Sequence, residues 1–149
     1  MKFRLVFLVT ALLFCTSFTF AQSTERSPLQ QGLESYRAGD WISALFFLRR
    51  AVLEPKYDTD ETWYVLIMSE IYAAEYAAAD SDCIVFLERF EHSPYAPYVQ
   101  YQHGRMLYTL GRTNQAVIQL SDFCHRNEGH ELYASALYFV GECFFQDYD

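Results

Sequence analysis

The chain has 149 residues, of which 52% are hydrophobic and 18% aromatic, too apolar for a disordered segment and sufficient for one packed domain. Its 19 acidic against 11 basic residues give a net charge of −8, which repels phosphates and argues against nucleic acid or an anionic lipid surface as partner. A basic peptide or a cationic protein patch would be attracted instead.

At the start, Lys2 and Arg4 precede a mostly apolar run from Leu5 to Phe14, and Thr19, Phe20 and Ala21 suit cleavage before Gln22. Residues 1–21 therefore read as an export signal peptide. An uncleaved anchor is the competing reading, although the run falls short of about 20 continuous apolar residues. A lipoprotein signal ending at Cys15 fits poorly, because bulky Phe14 stands where a small residue is usual. Removal of the signal leaves nine cations against 19 anions, a net charge near −10.

The remainder, 22–149, reads as helices throughout. Ser27, Pro28 and Gln30 form a helix start with a capping box, and that helix should run to about Ala38. Gly39 and Asp40 supply a left-handed stop and the cap of the next helix, Trp41 to Glu54, which Pro55 ends. Asp58 and Glu61 resemble a second capping box, opening a helix through about Ala73, and its partner runs from about Tyr76 to Phe90. Ser93 and Pro94 begin the fifth helix, which Gly111 closes; the sixth spans about Thr113 to Arg126 and the seventh His130 to Gln146.

These helices carry an internal repeat of 35 to 37 residues. Gly32, Ile67 and Gly104 each lie twelve residues before Ala44, Ala79 and Ala116; Gly39, Ala74 and Gly111 lie five before them. Leu48, Cys83 and Leu120 follow four residues later, then Ala51, Phe86 and Phe123. Gly141 opens a fourth copy, 37 residues after Gly104. The small residues let two backbones approach, and the apolar columns fill the space beside them. The expected architecture is all-α, an α-solenoid of antiparallel helix pairs with about seven helices after the signal peptide. Its repeats fall near 27–57, 59–92 and 94–128, with a partial one at 130–149. The last copy leaves two readings open: the seventh helix caps the stack, or the chain is the first part of something longer.

At these columns, and best from Gly104 to Ala116, the chain resembles the tetratricopeptide repeat family. Ile67 in place of the usual glycine and Cys83 in place of a larger apolar residue depart from that pattern. The segments Ser93 to Ala96 and Ala136 to Glu142 look more narrowly like the family's envelope branch, of the outer-membrane assembly lipoprotein and Tol-Pal accessory protein type. The resemblance implies a right-handed superhelix whose first helices line a concave face that binds a partner's segment. It also implies a periplasmic or outer-membrane-associated location for an exported chain.

The positions expected on that face are Tyr36, Tyr64, Met68, Tyr72, Tyr101, Arg105, Tyr108, Tyr138 and Phe145, with Leu33 and Ile71 between them. Tyrosine gives large contact area at low entropy cost and keeps a hydroxyl for hydrogen bonding. The competing reading is ordinary packing between helices, the commoner role of a helical aromatic stripe. The carboxylate clamp of some family members is not expected, since Leu29, Leu33, Glu61 and Val65 occupy its positions. Cys83 falls in a core column. Cys124 and Cys143 lie on surfaces that consecutive helices bring together and are a candidate disulfide, which equal thiol counts with and without reductant in denatured protein would exclude.

Catalytic signals are weak: no glycine-rich phosphate loop, HExxH helix or nucleophile motif is present, and no cofactor is expected. Cys124, His125, Glu128, His130 and Glu131 crowd one turn, but their spacing matches no common zinc pattern. The expected function is that of a non-enzymatic scaffold or adaptor that binds another envelope protein or peptide segment. Membrane association would come only through a lipid anchor or a partner, and self-association is a further candidate. The alternatives are an interaction arm of a longer envelope enzyme and a periplasmic chaperone.

Overall fold

The computed structural model describes residues 26–146; the segment expected to be an export signal, with Cys15, lies outside them. Seven helices follow in order: α1 (Pro28–Arg37), α2 (Trp41–Ala51), α3 (Asp60–Tyr72), α4 (Tyr76–Arg89), α5 (Ala96–Thr109), α6 (Thr113–Arg126) and α7 (Tyr133–Gln146). No strand occurs among the described residues, and no helix there is long and apolar enough to cross a membrane.

The three-residue links after α1, α3 and α5 share one geometry. The amides of Asp40, Glu75 and Arg112 donate to the carbonyls of Ser35, Glu70 and Leu107, while those of Gly39, Ala74 and Gly111 donate to Tyr36, Ile71 and Tyr108. This paired pattern ends a helix by turning one residue left-handed. Gly39 and Gly111 take it at φ 74° and 70°, and Ala74 takes it at φ 60° against the steric preference of its β-carbon. Ala74→Gly is therefore expected to raise stability by about 1 kcal/mol, read as a higher urea midpoint with an unchanged slope.

The short links fold each pair of helices back on itself, and the small-residue columns set the contact. A β-carbon at Gly32 would stand 2.7 Å from Leu48 Cγ, and one at Gly104 would stand 2.6 Å from Leu120 Cγ, so neither position has room for a side chain without movement. The second pair solves the same contact with the sizes exchanged. Ile67 and Cys83, the two departures from the repeat, are both fully buried in one cluster, so the larger residue on α3 meets the smaller one on α4.

Every helix packs on the next, but the two layers differ. The odd-numbered helices also touch one another, α1 with α3, α3 with α5 and α5 with α7, whereas among the described residues α2 does not touch α4 and α4 does not touch α6. The odd helices thus form one continuous layer, and the even helices stand apart on its other side.

Several boundaries differ from the sequence reading. Thr59, not Asp58, caps α3 by accepting from the Thr62 amide, because Asp58 is occupied by the Trp63 indole at 2.7 Å and Arg89 at 2.8 Å. The second helix ends at Ala51 instead of Glu54; the chain leaves it through a turn closed by the Glu54 amide on the Ala51 carbonyl, upstream of Pro55. Ser93 and Pro94 belong to a turn before α5, where Ser93 Oγ accepts from the Tyr95 amide and donates to Asp60. Residues 130–132 are likewise turn, and α7 begins only at Tyr133, since His130 Nδ1 accepts from the Leu132 amide.

Two ionic groups tie the layers together. Arg49 of α2 donates at 3.0 Å to Glu70 of α3, whose side chain is 1% exposed. Asp80 of α4 holds both the buried His103 of α5 at 2.7 Å and Arg112 at 2.6 Å, before α6. Burial is the largest single influence on the Asp80 carboxyl and raises it, but the Arg112 guanidinium and the His103 ring together outweigh it and hold the group below its ordinary range.

Candidate partner-binding groove

The odd-helix layer carries the aromatic set. Tyr36, on the last turn of α1, meets the Trp41 ring edge-on at 5.5 Å, and Trp41 in turn lies 4.7 Å from Tyr72 at the end of α3. Tyr64 stacks on Tyr95 at 4.7 Å and meets Tyr98 at 6.5 Å. Burial first, then the neighbouring Tyr72 and Tyr64, raises the Tyr36 phenol above its ordinary range; burial, then Tyr72 and Tyr95, does the same for Tyr64. Tyr36 and Tyr64 pack against the same two core clusters, and the Trp41 ring joins Tyr36 to Tyr72, so the three rings gather where α1 and α3 meet. Tyr36 and Tyr64, so raised, stay protonated at neutral pH, and each phenol hydroxyl of the set can donate or accept a hydrogen bond.

A second aromatic group surrounds Phe139 on α7. Tyr108 lies 5.2 Å from it and Tyr138 lies 5.4 Å from it. Loss of water, followed by the charge of Glu142, raises the Tyr108 phenol. Between the two groups runs a cleft of about 430 Å³, walled by Tyr72 and Tyr76 on one side, Gln102, Arg105 and Met106 along α5, and Phe139 on the other. Arg105 forms no ion pair among the described residues, and Gln102 Oε1 is buried with no hydrogen-bond donor there. The cleft therefore offers a lone cation and an open acceptor between aromatic walls.

Of the expected groove residues, Tyr36, Tyr64, Tyr72, Arg105, Tyr108 and Tyr138 lie along this layer with part of their surface open. Met68 and Tyr101 belong to the core. Met68 is buried in the cluster with Ile67 and Phe86, and Tyr101 is 6% exposed, covered by Phe123 and Phe139. Tyr101 shares a helix face with Tyr108, but it is closed on by Phe123 of α6 as well as Phe139 of α7, whereas Tyr108 meets Phe139 alone of the two. Phe145 is exposed on α7 and makes no ring contact with the set among the described residues. Trp41, Tyr76, Tyr95, Tyr98 and Phe139 are the members that the repeat phase did not single out. Tyr95 precedes its helix, Trp41 and Tyr76 open the even helices, and Phe139 stands one position from Tyr138, so helical phase alone assigns them elsewhere.

The crowded turn after α6 is committed to packing. The His130 ring meets Phe123 at 5.5 Å and Tyr98 at 4.9 Å, and Glu131 accepts from the Tyr98 hydroxyl at 2.7 Å. Cys83 is fully buried, with its thiol pushed far above the ordinary range by burial, so it is inert as a nucleophile. Cys124 and Cys143 fall in one buried cluster with Tyr101 and Phe123. A bond between them remains a proposal.

The chain matches no protein-family model and no curated protein. Its resemblance to a repeat family therefore rests on its own residues.

Proposed function

We propose that the chain is an exported scaffold of the tetratricopeptide type, in which the odd-helix layer forms the concave face of a right-handed superhelix and binds a segment of another envelope protein. The observation that carries this reading is the cleft at Tyr72, Arg105 and Phe139, where open aromatic walls flank a cation with no ion-pair partner among the described residues. Aromatic rings and arginine are the side chains that most often dominate binding energy. A rigid layer of packed helices would present them with little ordering cost. The bound segment would bring apolar or aromatic side chains for the walls and a carboxylate for Arg105, and the chain's acidic surface would favour basic residues around that anchor.

The test is a crosslinked pull-down from the native envelope with the wild type and a Tyr72→Ala, Arg105→Ala, Tyr138→Ala variant. All three side chains have open surface, so the variant is expected to melt within a few degrees of wild type while retaining the partner at least about tenfold less well. Unchanged retention by the folded variant would sink the groove. Many weakly held clients in place of one would favour a chaperone.

A further inference from the structure

Among the described residues α4 and α6 do not touch, and both pack on α5, so a cleft of about 490 Å³ opens between them with α5 as its floor. It shares no lining residue with the groove at Tyr72 and Arg105. Two buried side chains of the floor are set as acceptors. His103, 3% exposed, has its Nε2 2.7 Å from the Asp80 carboxylate. A carboxylate only accepts, so Nε2 is the donor and in the neutral ring Nδ1 keeps its lone pair; that atom is buried with no hydrogen-bond partner among the described residues. Gln100, 8% exposed and three residues earlier, spends its amide N–H on Asp122 at 2.6 Å, which leaves its oxygen as the remaining acceptor. The rim adds negative charge. Glu88 forms no ion pair among the described residues, and Glu91 meets only the exposed His92 ring, at 3.4 Å. Arg126, the cation in the lining, is already held by Asp122 at 2.9 Å.

We propose that this cleft binds an arginine side chain presented by a basic segment of a partner protein. A buried acceptor with no donor costs stability until a donor reaches it. Unpaired acceptors beneath unneutralised carboxylates select a cation that carries several N–H groups. The guanidinium has five in a planar fork and is weakly hydrated, whereas an ammonium has three and holds its water more strongly. Ile84 and Leu87 on α4 and Pro97 on α5 supply the apolar wall that an arginine stem covers. The chain makes a comparable pairing within itself one repeat earlier. Arg49, five residues after Ala44, reaches from α2 to the buried carboxyl of Glu70 on α3 at 3.0 Å. Ile84, five residues after Ala79, takes that position in the next repeat and supplies no cation. The net charge of −8 adds attraction at long range. This site is separate from the groove proposed above and stands or falls independently of it.

A magnetic resonance titration of the full chain, with nitrogen-labelled histidine, tests this against an end-capped hexapeptide that alternates arginine and alanine. Binding is expected to saturate, to weaken as salt is raised, and to shift the Nδ1 resonance of His103 in step with occupancy. The same peptide with lysine for arginine should bind at least about fivefold less well. The double variant Glu88→Gln, Glu91→Gln changes only exposed side chains, so it should keep its helix content while weakening the arginine peptide at least about fivefold. The groove variant Tyr72→Ala, Arg105→Ala, Tyr138→Ala should bind the peptide as the wild type does, which separates this site from the groove. No saturation by about 10 mM peptide, an unmoved Nδ1 resonance at saturation, or equal binding of the arginine and lysine peptides would each overturn the proposal. So would full affinity in the Glu88, Glu91 variant or loss of binding in the groove variant.

Discussion

Phe123→Ala is expected to lower stability by about 3–5 kcal/mol, a large share of the 5–15 kcal/mol typical of a domain. Phe123 is fully buried, meets Tyr101 at 6.0 Å and His130 at 5.5 Å, and stands in the cluster that joins α5, α6 and α7. Removing its ring withdraws contacts from three helices at once and opens a cavity whose walls are the ends of regular helices, which cannot collapse inward cheaply. The consequence should be local. Each helix touches only its near neighbours, so stability in such a stack is close to a sum of pairwise terms. Hydrogen exchange of Phe123→Ala should therefore show α5 to α7 opening first while α1 to α4 keep their protection. Phe86→Ala, the equivalent position in the middle of the stack, should cost as much but loosen both halves, because its cluster includes residues from α3, α4 and α5. Uniform loss of protection in both variants would mean that the stack melts as one unit.

How much of this could be read from the sequence follows from what the repeat constrains. The columns of small residues report backbone approach, and the structure returns them as measured close contacts at Gly32 and Gly104. The left-handed column is equally legible, since Gly39 and Gly111 take the required φ and even Ala74 follows its neighbours. Ile67 and Cys83 look like two unrelated departures in the sequence because they lie on different helices, and only their shared cluster makes them one exchange. The groove was legible in outline but not residue by residue. Helical phase places Tyr101 and Tyr108 on one face, yet it cannot say that Phe123 and Phe139 together bury the first while the second keeps open surface. The buried charges were not legible at all, because acidic residues on a helix are ordinarily solvated and nothing local marks Glu70 as an exception.

Glu70 supplies the second large effect, and its sign is opposite to that of most structural carboxylates. Burial is the main influence on its carboxyl and the nearby Asp82 charge the next; together they outweigh Arg49, whose guanidinium is nearly half exposed, and raise the group from 4.5 to about 7. The folded state thus holds this proton more tightly than the unfolded chain. The stability it confers is fully present below about pH 4.5 and falls as pH rises toward about 7, by an amount on the order of 1–3 kcal/mol. Asp82, also raised by burial, adds to the same slope. The depressed carboxyls work in the other direction and only in acid: Asp40, held by the Ser43 hydrogen bonds, Asp58, held by Arg89 and Trp63, and Asp80 lose their contributions as pH drops below the ordinary carboxylate range. Stability should therefore peak near pH 5 and decline into the neutral range. Glu70→Gln keeps the shape and an oxygen that can accept from Arg49 while removing the titration. Urea midpoints at pH 5, 6, 7 and 8 should fall for the wild type and fall less for Glu70→Gln, which keeps only the part of the slope that Asp82 supplies, with the two proteins close at pH 5 and the variant ahead at pH 8. Parallel declines would show that this carboxyl is ionised in the folded protein across the whole range, and that Arg49 offsets its burial in full.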